Sequence, residues 1–285
     1  MEQAIEGLDR EAEQIIADIG IPPCPAILTK LMQEMRNDEP DFAKLGRLIG
    51  GDVSLAAAML KTVNSPFYGL RTKATSVQQA LALLGLRNVA QLVTGLLLRD
   101  AFPGGASELM DEYWESSAAI AQISATLAQE FKCVQRDEAY TFALFRDCGM
   151  PPMMVSFKDY QPIFPGTKVP HDASVIDYED EAYGINHARV GSHLAKTWLL
   201  PEDICQAILW HHQYAAVQAG VAGISPASSR NMALALAAEA VYVKSKMGTN
   251  SAEWRKGAGF ALETLAISQA DLDDAAVRLS REFPQ

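Results

Sequence analysis

Asn64-Ser65-Pro66-Phe67-Tyr68-Gly69-Leu70, followed by Thr75-Ser76-Val77-Gln78-Gln79-Ala80-Leu81-Ala82-Leu83-Leu84-Gly85-Leu86-Arg87, is the stretch that decides the fold class. Asn64 ends an apolar pattern at Ala56, Met59, Leu60 and Val63, the i, i+3, i+4, i+7 spacing of a helix with one buried stripe. Ser65-Pro66 suits the start of a turn, and Gly69 can take the positive φ that closes it. Ser76 and Gln79 have the spacing of a capping box, ahead of a second stripe at Val77, Ala80, Leu81 and Leu84. Gly85 breaks that helix before Leu86 starts another. A tight loop carrying Asn64, Tyr68, Arg71 and Lys73 is thus expected between two core helices. It reads as a surface that contacts a partner or relays a shape change; a plain helix–helix joint is the simpler reading.

Outward from this loop the pattern stays helical. Glu2 to Ile19 is amphipathic and ends at Gly20 and the prolines at 22, 23 and 25. Ala26 to Arg36 carries the stripe Leu28, Leu31, Met32 and Met35, and Asp41 to Ile49 begins with Asp41 as a cap. Pro103-Gly104-Gly105-Ala106-Ser107 is the clearest break in the chain. Beyond it, helices are expected at about 108–131, 136–147, 172–183, 186–198, 201–213, 226–247 and 268–283. Pro151 to Pro170 reads as largely irregular and Ala215 to Ser229 as a mobile loop. No sustained β-alternation occurs. The expectation is an all-α protein of two helical subdomains, residues 1–104 and 105–285.

Composition removes several classes. A net charge of −11 over 285 residues and a pI near 4.9 argue against non-specific binding to nucleic acid or an anionic membrane. The most apolar stretch, Leu81 to Leu98, is interrupted by Arg87, Asn88 and Gln91, so no membrane insertion is expected. Cys24, Cys133, Cys148 and Cys205 are scattered without a CxxC pair, as reduced thiols of a cytoplasmic protein would be. No P-loop, GxGxxG or GxSxG string occurs.

The second half places polar residues in register with apolar stripes. Ser116 aligns with Ala119, Ile120 and Ile123; Asp147 with Tyr140, Ala143 and Leu144; His187 with Val190, Gly191 and Leu194. His211 aligns with Ile204, Ala207 and Ile208, and Glu239 with Met232, Ala235, Leu236 and Val243. An ionisable group on a core face is costly unless paired or metal-bound. Five such positions on five helices suggest one shared polar pocket. A satisfied structural network is the plainer alternative.

Asp52-Val53-Ser54-Leu55-Ala56, Asn64 to Gly69, and Ser76…Ala80-Leu81…Leu84-Gly85-Leu86-Arg87, with Pro22-Pro23-Cys24-Pro25 upstream, together resemble the HDOD family over roughly residues 15–215. That resemblance implies an all-helical bacterial signalling module related to the HD metal-dependent phosphohydrolases and non-catalytic as a rule. It also arranges the polar positions. Ser116 stands where a catalytic HD domain has its first His, Arg146-Asp147 where it has a His-Asp doublet, and Glu239 where it has a late Asp. His187 and the pair His211-His212 match its further histidines.

These departures bear on chemistry. An HD site needs neutral imidazoles and carboxylates to hold divalent ions that activate water. Ser116 is a weak ligand and the Arg146 guanidinium stays protonated. A monocation ~4 Å from a dication repels it by roughly 8 kcal/mol at an effective dielectric of about 20. No metal cofactor is therefore expected; if one ion is held, Asp147, His187 and His211 hold it. His212, about 100° round the same helix from His211, is expected to face away, and His193 to face solvent. The acidic run Asp177 to Glu181 reads as a solvated face.

The function expected is a non-catalytic regulatory module acting through separate signalling proteins, of the two-component or cyclic-di-GMP kind by resemblance. One alternative is a phosphohydrolase or phosphodiesterase with an atypical ligand set. The other is a nucleotide or anion sensor in which Arg146 meets the phosphate.

Overall fold

Caps and breakers set the helix ends. A computed structural model of the chain describes residues 12–37, 39–65, 68, 70, 72–102, 108–160, 162, 174–220 and 223–282, with no strand among them. The helix over 12–19 (α1) stops before Gly20, whose φ is +68°. Ala26–Met35 (α2) buries Leu28 and Leu31. Phe42–Gly50 (α3) and Val53–Val63 (α4) are each capped by an aspartate: Asp41 accepts from the Lys44 N–H at 2.8 Å and Asp52 from the Leu55 N–H at 3.0 Å.

The loop after α4 is clasped by its first residue. The Asn64 side chain donates to the Ala74 carbonyl at 2.9 Å and accepts from the Ala74 N–H at 2.8 Å, so one amide ties both ends together. Ser76 then caps Val77–Ala101 (α5), accepting from the Gln79 N–H at 3.2 Å. The Gln79 side chain reaches one residue further back than a capping box requires, accepting from the Thr75 N–H at 2.8 Å. Pro66, Gly69 and Arg71 lie outside the described residues, as do the Pro103–Ser107 break and His171.

Gly85 divides α5 as its sequence suggests. Its φ of 78° and ψ of 165° are not helical, and the segments on either side meet at 113°. That region of φ/ψ is essentially open to glycine alone. A Cβ at Gly85 would meet nothing within 4 Å, so Gly85→Ala isolates backbone strain from crowding. We expect it to destabilise the protein by about 1–3 kcal/mol, measured as a lower denaturant midpoint at unchanged slope.

Two units emerge. Pro22–Pro103 with Thr197–Leu199 form one; Met1–Ile21, Gly104–Lys196 and Leu200–Gln285 form the other. Relative to a split at residue 104, the differences are α1, which groups with the larger unit, and Thr197–Leu199, which groups with the smaller. Trp198 is fully buried in the smaller unit, and its indole N–H donates to the Pro22 carbonyl at 3.1 Å.

In the larger unit Glu108–Phe131 (α6) and Arg136–Phe145 (α7) pack together, and Pro226–Met247 (α13) packs on both. Residues 231–241 of α13 are buried without a break. A helix apolar all round belongs in the middle of a core. Glu202–Trp210 (α11) and Gln269–Glu282 (α15) also contact α13, and Val175–Tyr183 (α9) and His187–Thr197 (α10) precede α11 in the chain.

Three helices fall where loops or no element was expected. Met150–Ser156 (α8) is helical despite Pro151 and Pro152, because prolines in a first turn give up N–H groups that have no helical partner. Tyr214–Gln218 (α12) replaces the start of the expected mobile loop. Ala252–Leu265 (α14) hides its pattern behind Gly257 and Gly259. A Cβ at Gly257 would lie 2.5 Å from the Leu236 side chain and 2.8 Å from the Tyr214 ring, so packing there demands glycine.

No single described helix is long and apolar enough to cross a membrane. In the Leu81–Leu98 stretch, Leu81, Val89, Ala90, Leu92, Val93 and Leu98 are core residues. All four cysteines are free thiols.

Candidate metal centre

The site is built on a close backbone approach. After α7 the chain turns through Arg146-Asp147-Cys148-Gly149 and meets the first turns of α10. A Cβ on Gly149 would lie 2.0 Å from the His187 carbonyl oxygen and 2.6 Å from the Gly191 N. Gly191 faces the same contact, its own Cβ position being 3.1 Å from the Gly149 N. Two bare α-carbons therefore let the turn bearing Asp147 lie against the helix bearing His187.

Four ligating groups converge there. His187, His211, His212 and Asp147 each place one donor atom within 4.8 Å of all the others. His187 Nε2 is 3.4 Å from His211 Nε2, 3.1 Å from His212 Nε2 and 3.6 Å from Asp147 Oδ1, and His211 Nε2 is 3.1 Å from Asp147 Oδ1. The edge of a tetrahedron whose vertices lie about 2.05 Å from a central zinc is roughly 3.3 Å. These four distances bracket that length.

Each ring is turned by a partner on its other nitrogen. His187 Nδ1 is 2.6 Å from Glu179 Oε2, His211 Nδ1 is 2.6 Å from the Ile208 carbonyl, and His212 Nδ1 is 2.8 Å from Glu253 Oε2. A carbonyl or carboxylate only accepts, so each Nδ1 carries the hydrogen and each neutral ring points a bare Nε2 lone pair inward. Those facing lone pairs require a cation or a proton between them. Nδ1–H held by an acceptor with Nε2 free is how metal-ligating histidines are oriented. The orienting groups are themselves held: Tyr160 donates to Glu179 Oε1 at 2.6 Å, and Tyr214 to Glu253 Oε2 at 2.8 Å.

Arg146 occupies the other side of Asp147. Its Nε and Nη2 donate to Asp147 Oδ2 at 3.0 and 2.8 Å, and Nη2 lies 2.9 Å from Glu239 Oε2. Burial works against this charge, yet Asp147 and Glu239 more than offset it and raise the arginine pKa. Asp147 in turn would be raised by burial, but Arg146 and the two histidines hold it well below the usual carboxylate range. Burial pushes Glu239 upward against the pull of Arg146.

Without an ion the cluster needs a proton. Burial alone would lower the His187 pKa, but the Glu179 charge and the hydrogen bonds to Asp147 and Glu179 push it up to about 10. Burial, with the His212 and His187 rings adding to it, takes His211 down to about 3. Of these two rings, His187 is the one whose protonated form its surroundings favour.

Of the expected pocket residues, Arg146, Asp147, His187, His211 and Glu239 are joined by these contacts. Ser116 is buried, but its hydroxyl donates to the Tyr113 carbonyl of its own helix at 3.0 Å. His212 corrects the expectation that it faces away. α11 ends at Trp210, so His211 is its C-cap and His212 sits in the turn beyond, where the 100° step of a helix no longer applies. Glu179 corrects the reading of its acidic run as solvated: it is 1% exposed and also accepts the His187 backbone N–H at 2.8 Å. Its signal was present, since it follows Val175 and Ile176 on one helix face. Glu253 and the two tyrosines carry no comparable pattern. His193 is exposed, as expected.

The fold and the site define a class: an all-helical, HD-like protein with a histidine–carboxylate centre. Residues 21–214 match the HDOD domain, and the chain belongs to that family. A crystal structure from Shewanella amazonensis SB2B, provisionally named a metal-dependent phosphohydrolase, is similar with a TM-score of 0.67 at 16% identity, covering 99% of this chain and 98% of that one. Another, from Marinobacter aquaeolei VT8 and provisionally named a signal transduction protein, gives 0.65 at 19% identity over 94% of this chain and 60% of its own. An uncharacterized protein of Treponema pallidum (strain Nichols) is 24% identical over 203 residues, 67% of this chain. This chain spans only 37% of that relative's length.

Proposed function

We propose that this protein is a non-catalytic signal-transduction module whose HD-like unit is fastened by one divalent ion. The observation that carries the reading is the set of three inward Nε2 atoms and one Asp147 oxygen, all within 4.8 Å of one another. Charge points the same way. Asp147, Glu179, Glu239 and Glu253 face two side-chain cations, Arg146 and Lys256. One dication neutralises the remaining two negative charges, and buried charge needs such compensation.

Four protein ligands make a closed site, and closed sites are structural, whereas catalytic ones keep a position open for water. A bound ion here supplies folding free energy rather than an activated hydroxide. Arg146 adds to this, because its fork is spent on Asp147, Glu239 and, at 3.5 Å, the Ala235 carbonyl. The same engagement leaves it poorly placed to receive a phosphate, which argues against the anion-sensor reading. Output would pass to partner proteins through the smaller unit, where Phe42, Val53 and Leu83 are exposed at 45%, 81% and 54%.

A hydrolytic reading is favoured by one observation: the Asp147 and His212 side chains retain 15% and 10% exposure, so the centre has an edge open to solvent. Elemental analysis of protein purified without chelators separates the two. We expect about one divalent ion per chain, absent from Asp147→Ala, and phosphodiester hydrolysis at the buffer rate. Metal-dependent turnover of a phosphodiester, lost in Asp147→Ala, would overturn the non-catalytic reading; metal-free, fully folded protein would overturn the fastening ion.

A further inference from the structure

We infer that the Arg146 guanidinium is a built-in cation standing in a second metal position, and that removing it opens that position to a divalent ion. The inference rests on the reading of the neighbouring cluster as a cation site, but its readout is a difference between variant and wild type and so survives if that reading fails.

Asp147 is shared in the manner of a bridging carboxylate. Its Oδ1 faces His211 and His187 at 3.1 and 3.6 Å, while its Oδ2 accepts both Arg146 bonds. On the far side of the same guanidinium, Glu239 of α13 supplies a second carboxylate, with 5% side-chain exposure. Arg146 Nη2 lies 2.8 Å from one oxygen and 2.9 Å from the other, so the two oxygens are separated by at most the sum of those lengths. Carboxylate–zinc bonds run about 2.0–2.2 Å, and modest side-chain rotation brings both oxygens within reach of one ion.

The two carboxylates come from different segments, one in the turn just past α7 and one in the middle of α13. Among the described residues Glu239 has no other side-chain cation at bonding distance, and Asp147 otherwise faces only the His187 and His211 rings. Two buried anions without a cation between them repel each other and are poorly solvated. Arg146 thus does permanently, as part of the chain, what an exchangeable ion would do at that place. It also limits the centre to one exchangeable ion and keeps the α7–α13 junction closed whether or not the histidine cluster is loaded.

The test uses the full chain as wild type, Arg146→Lys and Arg146→Ala, each dialysed against Mn²⁺ or Zn²⁺ and then counted for bound metal. Arg146→Ala is expected to carry one more ion per chain than wild type, and Arg146→Lys the wild-type number. In chelator, Arg146→Ala should melt well below wild type, with recovery on adding the divalent ion or millimolar guanidinium ion. A folded Arg146→Ala protein with the wild-type ion count overturns the inference. Should Arg146→Ala not fold even with metal, the double variant Arg146→Ala/Glu239→Gln decides. Its folding with no extra ion supports a charge role for Arg146, and its failure to fold assigns Arg146 to packing instead and overturns the proposal. A wild type free of metal beside a one-ion Arg146→Ala would keep this inference and remove the proposed fastening ion.

Discussion

Gly149→Ala should unfold the larger unit or leave it only marginally stable. The added methyl would sit 2.0 Å from the His187 carbonyl oxygen and 2.6 Å from the Gly191 N, both backbone atoms that no rotamer change can move. Relief requires the Asp147 turn and α10 to separate, which withdraws Asp147 from His187 at the start of α10. Overpacking a core costs about 1–3 kcal/mol where side chains can adjust. Against rigid backbone on both sides we expect more than about 3 kcal/mol, at the diagnostic end of single substitutions. The check is a thermal or denaturant melt, with Gly20→Ala as a strained but uncrowded control, since no atom lies within 4 Å of a Cβ there. A Gly149→Ala protein of near wild-type stability would mean that the turn and α10 do not approach as closely as described.

The second large effect is that of chelation, and it depends on pH in a defined direction. An ion bound only by the folded state adds about 4 kcal/mol when free ion exceeds Kd 1,000-fold. Its removal leaves His187 to carry a proton between Glu179 and Asp147. That proton is held more tightly folded than unfolded, because the His187 pKa rises from 6.5 to about 10. The stability it contributes is full below pH 6.5 and is lost as pH climbs through about 10. His211 acts oppositely, its pKa falling to about 3, so metal-free stability also declines from pH 6.5 toward acid. Metal binding must displace the His187 proton, so affinity rises about tenfold per pH unit below the His187 pKa. The gap in melting temperature between loaded and chelated protein should therefore widen from pH 6.5 toward 10. A gap that stays constant would show that no proton is exchanged for the ion.

Placing one ion in this centre changes what its residues are for. Glu179 and Glu253 do not bind the ion; each fixes an imidazole in the tautomer that presents Nε2. Tyr160 and Tyr214 each donate to one of those carboxylates, so the outer layer is hydrogen-bonded without any ion. Preorganisation of this kind suits a fastening role.

The helices and their breaks were legible in the sequence because they depend on neighbours three or four residues away. The α4 stripe, the Asp41 cap of α3 and the break at Gly85 all follow from local rules, and the structure contains each of them. Asp147, His187, His211 and Glu239 were legible for a related reason, since a charged group in an apolar register needs a partner somewhere. Local rules fail where long-range packing decides. His212 lies one residue beyond a helix end that no periodicity marks, and its ring is aimed by Glu253, 41 residues away. Glu179 looks like one acid among several until Tyr160 and His187 close around it. At Gly149 and Gly257 another segment passes too close for a side chain, and at Gly191 a Cβ would lie 3.1 Å from the Gly149 N, approaches that no local pattern marks. The sequence by itself thus determined the helical class and the inward-facing ionisable residues, through spacing along one helix. Only the tertiary structure decided which of them converge, because that depends on how separate helices approach.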